Sequence, residues 1–126
     1  MASQAKSVPK QTTILIVDDD DDIRTLYAAA FTHAGFSVAG ADSAASASMS
    51  LVTSIPDVVL LDMSMPGRSG LSLLQEIRGA ERTANVPVVV VSAVSQDNDL
   101  WRGLEYGWDD YVQKPVPIDE IGRAHV

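Results

Sequence analysis

Short, uninterrupted apolar runs are the main pattern along this chain. The clearest are Ile14–Val17, Val58–Leu61 and Pro87–Val91. They are rich in β-branched residues and show no alternation of apolar with polar positions, which is typical of strands buried on both faces of a parallel sheet. Weaker segments, from Phe36 to about Ala39 and from Tyr111 to Gln113, predict two further strands.

Helical periodicity occupies the intervals between these runs. Apolar residues three and four positions apart predict a first helix over about residues 21–34, and Gly35 is a suitable stop. A second helix follows, with Asp42 or Ser43 as its cap. The positions expected to face inward are Ile23, Leu26, Tyr27, Ala30, Phe31 and Ala34 in the first helix and Ala44, Ala47, Ser48, Leu51 and Val52 in the second.

The rest of the chain continues the alternation of strand and helix. Ser69 or Gly70 is expected to open a third helix, a fourth is predicted over about residues 96–106, and a short last helix begins near residue 118. Five strands alternating with five helices through right-handed crossovers predict an α/β, flavodoxin-like, doubly wound parallel sheet of strand order 2-1-3-4-5. The expected inward-facing residues of the third helix are Leu71, Leu74 and Ile77.

Composition is that of an ordinary globular protein. The 126 residues are 46% hydrophobic and 21% charged, which suits one domain, expected over residues 13–126 after a flexible leader over residues 1–12. The net charge of -8 argues against binding to nucleic acid or to an anionic membrane. The sequence has no cysteine, which excludes thiolate chemistry, and no apolar run approaches membrane-spanning length. A cytoplasmic location is expected.

Charged side chains follow three of the predicted strands at their carboxyl ends. Asp18 and Asp19 follow the first strand, Asp62 follows the third, and Lys114 follows the fifth. In an open α/β sheet the ligand site lies beyond the carboxyl ends of the strands, where the strand order reverses between strands 1 and 3. Three carboxylates in one crevice repel each other, so a cation is expected among them.

The run of five aspartates that begins at Asp18 allows three interpretations. A calcium-binding loop would need glycine and glutamate where the chain has Ile23 and Ala29. Capping of the first helix and complementation of its dipole account for Asp20–Asp22. For Asp18 and Asp19 we favour a hard-cation site, and a set of oxygen ligands predicts Mg²⁺.

Each of the remaining candidates also has an ordinary structural role open to it. Asp62 alone could form an Asx turn, Lys114 could be a surface lysine, Ser92 could cap a loop, and Tyr111 could simply pack. However, a carboxylate can act as a nucleophile toward phosphorus and form an acyl phosphate when a metal and a cation neutralise the transferred oxygens. Lys114 would supply that cation.

Four short motifs contain these candidates. They are Ile-Leu-Ile-Val-Asp-Asp ending at Asp19, Leu-Leu-Asp-Met-Ser-Met-Pro-Gly ending at Gly67, Val-Val-Ser-Ala ending at Ala93, and Asp-Tyr-Val-Gln-Lys-Pro ending at Pro115. Each is modest alone, but the ordered set is highly specific. With these motifs, residues 13–121 resemble the receiver domain of a two-component response regulator.

The resemblance implies how the acidic site works. It makes Asp62 the phosphoacceptor, which takes a phosphoryl group from a phosphohistidine of a sensor histidine kinase or a histidine phosphotransfer protein. Asp18, Asp19 and Asp62, together with the backbone carbonyl of Ser64, would hold Mg²⁺. Lys114 would pair with the phosphoryl group.

The resemblance also implies a switch that partners can read. Ser92 would move toward the phosphoryl group, and the side chain of Tyr111 would follow it, on a surface where such domains bind an output domain or a downstream protein. The last helix, over residues 118–126, is expected to be short for this family.

Three functions are open to such a site. A signalling receiver would catalyse only its own phosphorylation and dephosphorylation, so it is not expected to be an enzyme on other substrates. A phosphatase of the haloacid dehalogenase type would need its nucleophile after the first strand and a second aspartate two residues on, where this chain has Ser64 after Asp62. A docking module without phosphorylation is disfavoured by the complete set of Asp18, Asp19, Asp62, Ser92 and Lys114.

Overall fold

A five-stranded parallel sheet forms the centre of this computed structural model, which describes residues 11–63, 70–92 and 109–113. The strands are β1 (Thr13–Val17), β2 (Ser37–Ala41), β3 (Val58–Asp62), β4 (Val88–Ser92) and β5 (Asp110–Gln113). The helices in this part of the chain are α1 (Asp21–His33), α2 (Ala44–Thr53) and α3 (Gly70–Gly79). None of the described helices is long and apolar enough to cross a membrane.

The strand order is β2-β1-β3-β4-β5, with every neighbouring pair parallel. This confirms the predicted α/β, flavodoxin-like, doubly wound sheet. The order reverses between β1 and β3, so the crevice at their carboxyl ends is where this fold places a ligand. The predicted fourth helix, the short last helix and residues 1–10 of the predicted leader lie outside the described residues.

The second strand lies later in the chain than its apolar pattern predicted. β2 continues to Ala41 because its pairing with β1 extends to the position opposite Val17. Phe36, predicted as the first strand residue, packs instead against Phe31, with ring centroids 5.9 Å apart. This longer pairing brings the end of β2 level with the end of β1.

Helices cover both faces of the sheet. On one face Phe31 of α1 is fully buried beside Ile16 and Leu60. On the opposite face Leu51 of α2 and Leu74 of α3 pack in a second cluster, which includes alternate residues of β1, β3 and β4. The central strands are therefore buried on both faces, which explains why their sequences are continuously apolar.

The buried stripes of α1 and α2 are narrower than the periodic pattern suggested, and the stripe of α3 includes different residues. Leu26 in α1 and Val52 in α2 are 63% and 71% exposed, although helical spacing placed both on the inward side. Both residues stand at the edge of their stripe, where a helix resting on a sheet still meets solvent. In α3 the buried set includes Leu73, which the prediction missed, while Leu71 is only partly buried. Gly70, Leu73, Leu74 and Ile77 form the true stripe, with spacings of three and four.

Two local signals fix the ends of the first two helices. Gly35, directly after the C-cap of α1, has a φ of +104°, a conformation that favours glycine. Ser43 caps α2, because its hydroxyl accepts the backbone N–H of Ser46 at 3.0 Å. Ser43, rather than Asp42, is therefore the cap.

An ion pair anchors the edge strand β5 to the rest of the sheet. The guanidinium of Arg78, at the end of α3, donates to the backbone oxygen of Val86 and to Oδ2 of Asp109, both at 2.6 Å. The same Asp109 oxygen accepts the backbone N–H of Val88, the first residue of β4. The start of β5 is thus tied to the start of β4, which sets the level at which β5 ends.

Candidate functional site

Parallel pairing of β1 with β3 brings two aspartates to one edge of the sheet. Val17 lies opposite Leu61, so Asp18 and Asp62 are the next residues along the two neighbouring strands. Each is only 3% exposed. Two buried carboxylates are therefore held side by side at the carboxyl edge, where the sequence predicted a site.

Asp19 completes a cluster of three carboxylates. Asp18, Asp19 and Asp62 each offer one oxygen, and these oxygens lie within 4.8 Å of one another. At that separation, and at an effective dielectric constant near 20, the charges of a buried pair such as Asp18 and Asp62 repel by about 3.5 kcal/mol. Asp19 is exposed, so the cluster is open to solvent on its side. The cluster could bind a metal ion, and its oxygen donors suit Mg²⁺.

The next three aspartates stabilise the start of α1, as the sequence predicted. Asp20 is the N-cap, and its Oδ1 accepts the backbone N–H groups of Asp22 and Ile23 at 2.9 and 3.1 Å. Asp21 and Asp22 occupy the first turn, where negative charge complements the helix dipole. The backbone N–H of Asp20 also donates to Oδ1 of Asp18 at 3.0 Å. This hydrogen bond helps to orient a carboxylate of the cluster.

Strand register brings one further predicted residue, Ser92, to the same edge. Asp62 lies opposite Val91 in β4, so Ser92 is one position further toward the site. Ser92 in turn lies opposite Gln113 in β5, the residue that precedes Lys114. The chain direction therefore leads Ser92 toward the edge that holds Asp62.

The remaining predicted residues are placed only in part. Tyr111 lies opposite Val90, on the edge strand and two positions before Gln113. Lys114 and Ser64 lie outside the described residues. The roles given to Ser64, Ser92, Tyr111 and Lys114 stay predictions.

Gly70 is a residue of the site that the sequence reasoning used only as a helix start. A Cβ atom added there would lie 2.7 Å from the carbonyl oxygen of Asp62 and 2.9 Å from Cα of Met63. Both are backbone atoms, which cannot rotate out of the way. The first residue of α3 therefore needs to be glycine because it packs directly on the backbone that carries Asp62. A glycine eight residues after the candidate acidic residue was the available signal in the sequence.

We expect Gly70→Ala to lower the free energy of unfolding by about 1 to 3 kcal/mol, the usual range for an overpacked site. Urea denaturation measures this change. Gly79→Ala is the matched control, because it lies in the same helix and an added Cβ there meets nothing within 4 Å. If Gly70→Ala were as stable as Gly79→Ala, the close approach of α3 to Asp62 would not constrain this position.

Comparison with known proteins adds independent evidence on the family. The profile of the response regulator receiver domain matches residues 14–125. The phosphate regulon transcriptional regulatory protein PhoB of Pseudomonas aeruginosa is 38% identical over 109 residues, which make up 86% of this chain and 48% of that protein. The chain spans about half the length of the curated relatives it matches.

Solved structures have the same architecture. A putative response regulator from Chloroflexus aurantiacus has a TM-score of 0.83 and 30% identity, over 90% of this chain and 93% of that chain. The chemotaxis protein CheY4 of Vibrio cholerae is 20% identical and shares the fold, with a TM-score of 0.84 over 90% of this chain and 95% of that one. An acidic cluster lies at the strand-order reversal and the family profile spans nearly the whole sequence, so this chain belongs to the response regulator receiver domain family.

Proposed function

We propose that this chain is a phosphoacceptor, and that a phosphoryl group is transferred to Asp62 in a reaction that depends on Mg²⁺. One observation carries the proposal. Two carboxylates that are each 3% exposed, Asp18 and Asp62, share a cluster with Asp19, with oxygens within 4.8 Å. Burying like charges so close together is unfavourable without a counter-ion, so the arrangement is better explained by a cation site than by packing.

The proposed chemistry uses Asp62 as a nucleophile. A carboxylate oxygen of Asp62 attacks the phosphorus of a phosphohistidine, the phosphorus–nitrogen bond breaks, and its electron pair returns to the imidazole nitrogen. The product is an acyl phosphate on Asp62. Histidine kinases and histidine phosphotransfer proteins carry such a donor and are the proposed partners.

The other residues would stabilise the transferred charge. Bound to Asp18, Asp19, Asp62 and the carbonyl of Ser64, Mg²⁺ would neutralise the cluster and the transferred oxygens. Lys114 would hold a phosphoryl oxygen, since it follows the strand residue that lies opposite Ser92. The chain would promote only the formation and hydrolysis of its own acyl phosphate.

An output unit is the proposed reader of the modified state. PhoB of Pseudomonas aeruginosa, the curated relative named above, is a transcriptional regulatory protein, and this chain covers 48% of it. We therefore propose that the phosphorylated domain acts on an attached output domain or on a separate downstream protein.

Ser92 and Tyr111 are the proposed switch residues. A phosphoryl group adds about two negative charges and new acceptor oxygens beside the end of β4. The Ser92 hydroxyl then gains a partner that exists only in the modified state. A differential contact of this kind can shift a pre-existing equilibrium.

We expect Ser92→Ala to accept phosphate at Asp62 but to lose the response at Tyr111. Backbone amide shifts measured with and without a beryllofluoride mimic of the phosphoryl group test this in wild type and variant. The expected result is a smaller shift change over residues 109–113 in the variant. If both proteins showed the same shifts there, Ser92 would not be part of the switch.

Intact mass spectrometry after incubation with Mg²⁺ and a small phosphodonor tests the proposed function. A lasting mass gain of one phosphoryl group is expected. Steady release of inorganic phosphate without an adduct would indicate a phosphatase with Asp62 as nucleophile. The absence of both an adduct and phosphate release would indicate a docking module that is not phosphorylated.

A further inference from the structure

Arg24 is a largely buried cation beside the acidic cluster, and the proposed reaction gives it no role. Its side chain is 21% exposed. One guanidinium nitrogen, Nη1, donates to the backbone oxygen of Asp18 at 2.8 Å. The other, Nη2, pairs with the carboxylate of Asp21 one turn earlier in α1. The guanidinium thus bridges the end of β1 and the first turn of the helix.

The hydrogen bond to Asp18 acts on the peptide unit that joins the two metal-ligand candidates. The carbonyl of Asp18 and the N–H of Asp19 belong to one planar group. The backbone N–H of Asp18 is held separately, by the oxygen of Ala41 at 3.1 Å. With both sides of Asp18 held, the direction in which Asp19 leaves the strand is fixed, and so is the approach of its carboxylate to Asp62.

Gly40 provides the surface on which the stem of Arg24 lies. A Cβ atom added to Gly40 would lie 3.2 Å from Cδ of Arg24 and 3.6 Å from its Nε. Among the described residues only Gly35 has a positive φ, so the backbone at Gly40 does not itself require glycine. A side chain at this position of β2 would therefore have to push the Arg24 stem aside by a few tenths of an ångström.

We propose that Arg24 is a positioning residue of the phosphorylation site, which holds the Asp18–Asp19 peptide so that both carboxylates converge with Asp62 on the metal. Gly40 supports this role by leaving room for the stem. The inference rests on the proposed Mg²⁺-dependent phosphorylation and adds two residues to it.

Whether loss of the Arg24 side chain tightens or weakens Mg²⁺ binding distinguishes a purely electrostatic role of Arg24 from a positioning role. Removing a positive charge beside a cation site should tighten Mg²⁺ binding if Arg24 acts only through its field. Removing a group that orients ligands should weaken it, typically by tenfold or more. We expect Arg24→Ala to weaken Mg²⁺ binding by about tenfold, in a titration followed through the backbone amides of residues 17–20 and 61–63.

Two further variants separate geometry from charge. Arg24→Lys keeps the charge but has no planar fork to hold Asp18 and Asp21 together, so it should recover only part of the affinity. Arg82→Ala is the charge-matched control, because Arg82 lies on the segment before β4 and its guanidinium contacts the backbone oxygen of Val52. The affinity of Arg82→Ala should equal that of wild type.

A double-mutant cycle with Gly40 tests the contact itself. Gly40→Val should displace the Arg24 side chain and weaken Mg²⁺ binding to a similar degree. In the Arg24→Ala background the same change should have no further effect, because there is no side chain to displace. Valine suits a strand, so this route also tests the proposal if Arg24→Ala folds poorly.

The phosphorylation rate provides a second readout. For Arg24→Ala we expect the Mg²⁺ concentration at half-maximal rate to rise about tenfold, with the rate at saturating Mg²⁺ little changed. Unchanged or tighter Mg²⁺ binding in Arg24→Ala, or additive effects in the cycle, would overturn the positioning role while leaving Asp62 as the phosphoacceptor. Wild type that neither binds Mg²⁺ nor gains a phosphoryl group would instead overturn the proposed function itself.

Discussion

Replacing Asp62 with asparagine is expected to abolish phosphorylation. The amide keeps the shape of the side chain but is a poor nucleophile, so no acyl phosphate can form. Asp62 is the only member of the acidic cluster that β3 supplies, and the neighbouring strands β1 and β4 lead Asp18 and Ser92 to the same edge. Intact mass after treatment with Mg²⁺ and a small phosphodonor should show no adduct in Asp62→Asn.

The matched control for this variant is Asp57→Asn. Asp57 lies at the opposite edge of the sheet, where its Oδ2 accepts the backbone N–H of Thr13 at 2.8 Å. It is an exposed aspartate with a structural hydrogen bond, and its replacement should leave phosphorylation intact. An adduct that formed in Asp62→Asn at a rate near that of wild type would show that another residue accepts the phosphoryl group.

Loss of the nucleophile should also stabilise the metal-free protein. The variant removes one of two buried like charges whose repulsion is worth about 3.5 kcal/mol at an effective dielectric near 20. Asp62 also has an interaction partner in the structure, and any weakening of that contact in the amide offsets part of the gain. We therefore expect a higher melting temperature for Asp62→Asn than for wild type in the absence of divalent metal.

The apolar pattern predicted the sheet well because the strands are buried on both faces. Continuous runs such as Val58–Leu61 have no polar alternation, and in the structure the whole of that run is buried. The expectation that functional residues gather at the carboxyl ends of the strands placed Asp18 and Asp62 together. The pairing of β1 with β3 in the structure confirms that placement. The helices are buried on one face only, and there the apolar pattern predicted burial less well. Leu26 and Val52 satisfy the helical spacing and are nevertheless exposed.

Contacts between side chains and backbone were beyond the reach of the sequence pattern. The need for glycine at Gly70 comes from the approach of α3 to the carbonyl of Asp62. The space beside Gly40 is set by the path of the Arg24 side chain. Arg24 itself looks like one charged residue of an exposed helix face. Its hydrogen bond to Asp18 depends on how α1 leaves the sheet, which no local spacing encodes.

Asp19→Ala should remove most of the stabilisation that Mg²⁺ gives to the folded protein. A ligand that binds only the folded state stabilises it by about 2.7 kcal/mol at a concentration of 100 Kd. If loss of the Asp19 carboxylate weakens binding a hundredfold, the same Mg²⁺ concentration equals Kd and stabilises by only about 0.4 kcal/mol. The variant should therefore show almost none of the Mg²⁺-induced rise in melting temperature that wild type shows.

The stability of the metal-free variant provides a second test of this prediction. Asp19 is exposed, and its oxygen lies within 4.8 Å of those of two buried carboxylates. Its removal relieves repulsion, so the metal-free variant should be at least as stable as metal-free wild type, whereas loss of an ordinary structural hydrogen bond would make it less stable. Asp22→Ala is the control: Asp22 is an acidic residue of the first turn of α1 outside the cluster, and its loss should leave the full Mg²⁺ response. An equal Mg²⁺-induced rise in wild type and Asp19→Ala would remove Asp19 from the metal site, whatever its effect on the metal-free fold.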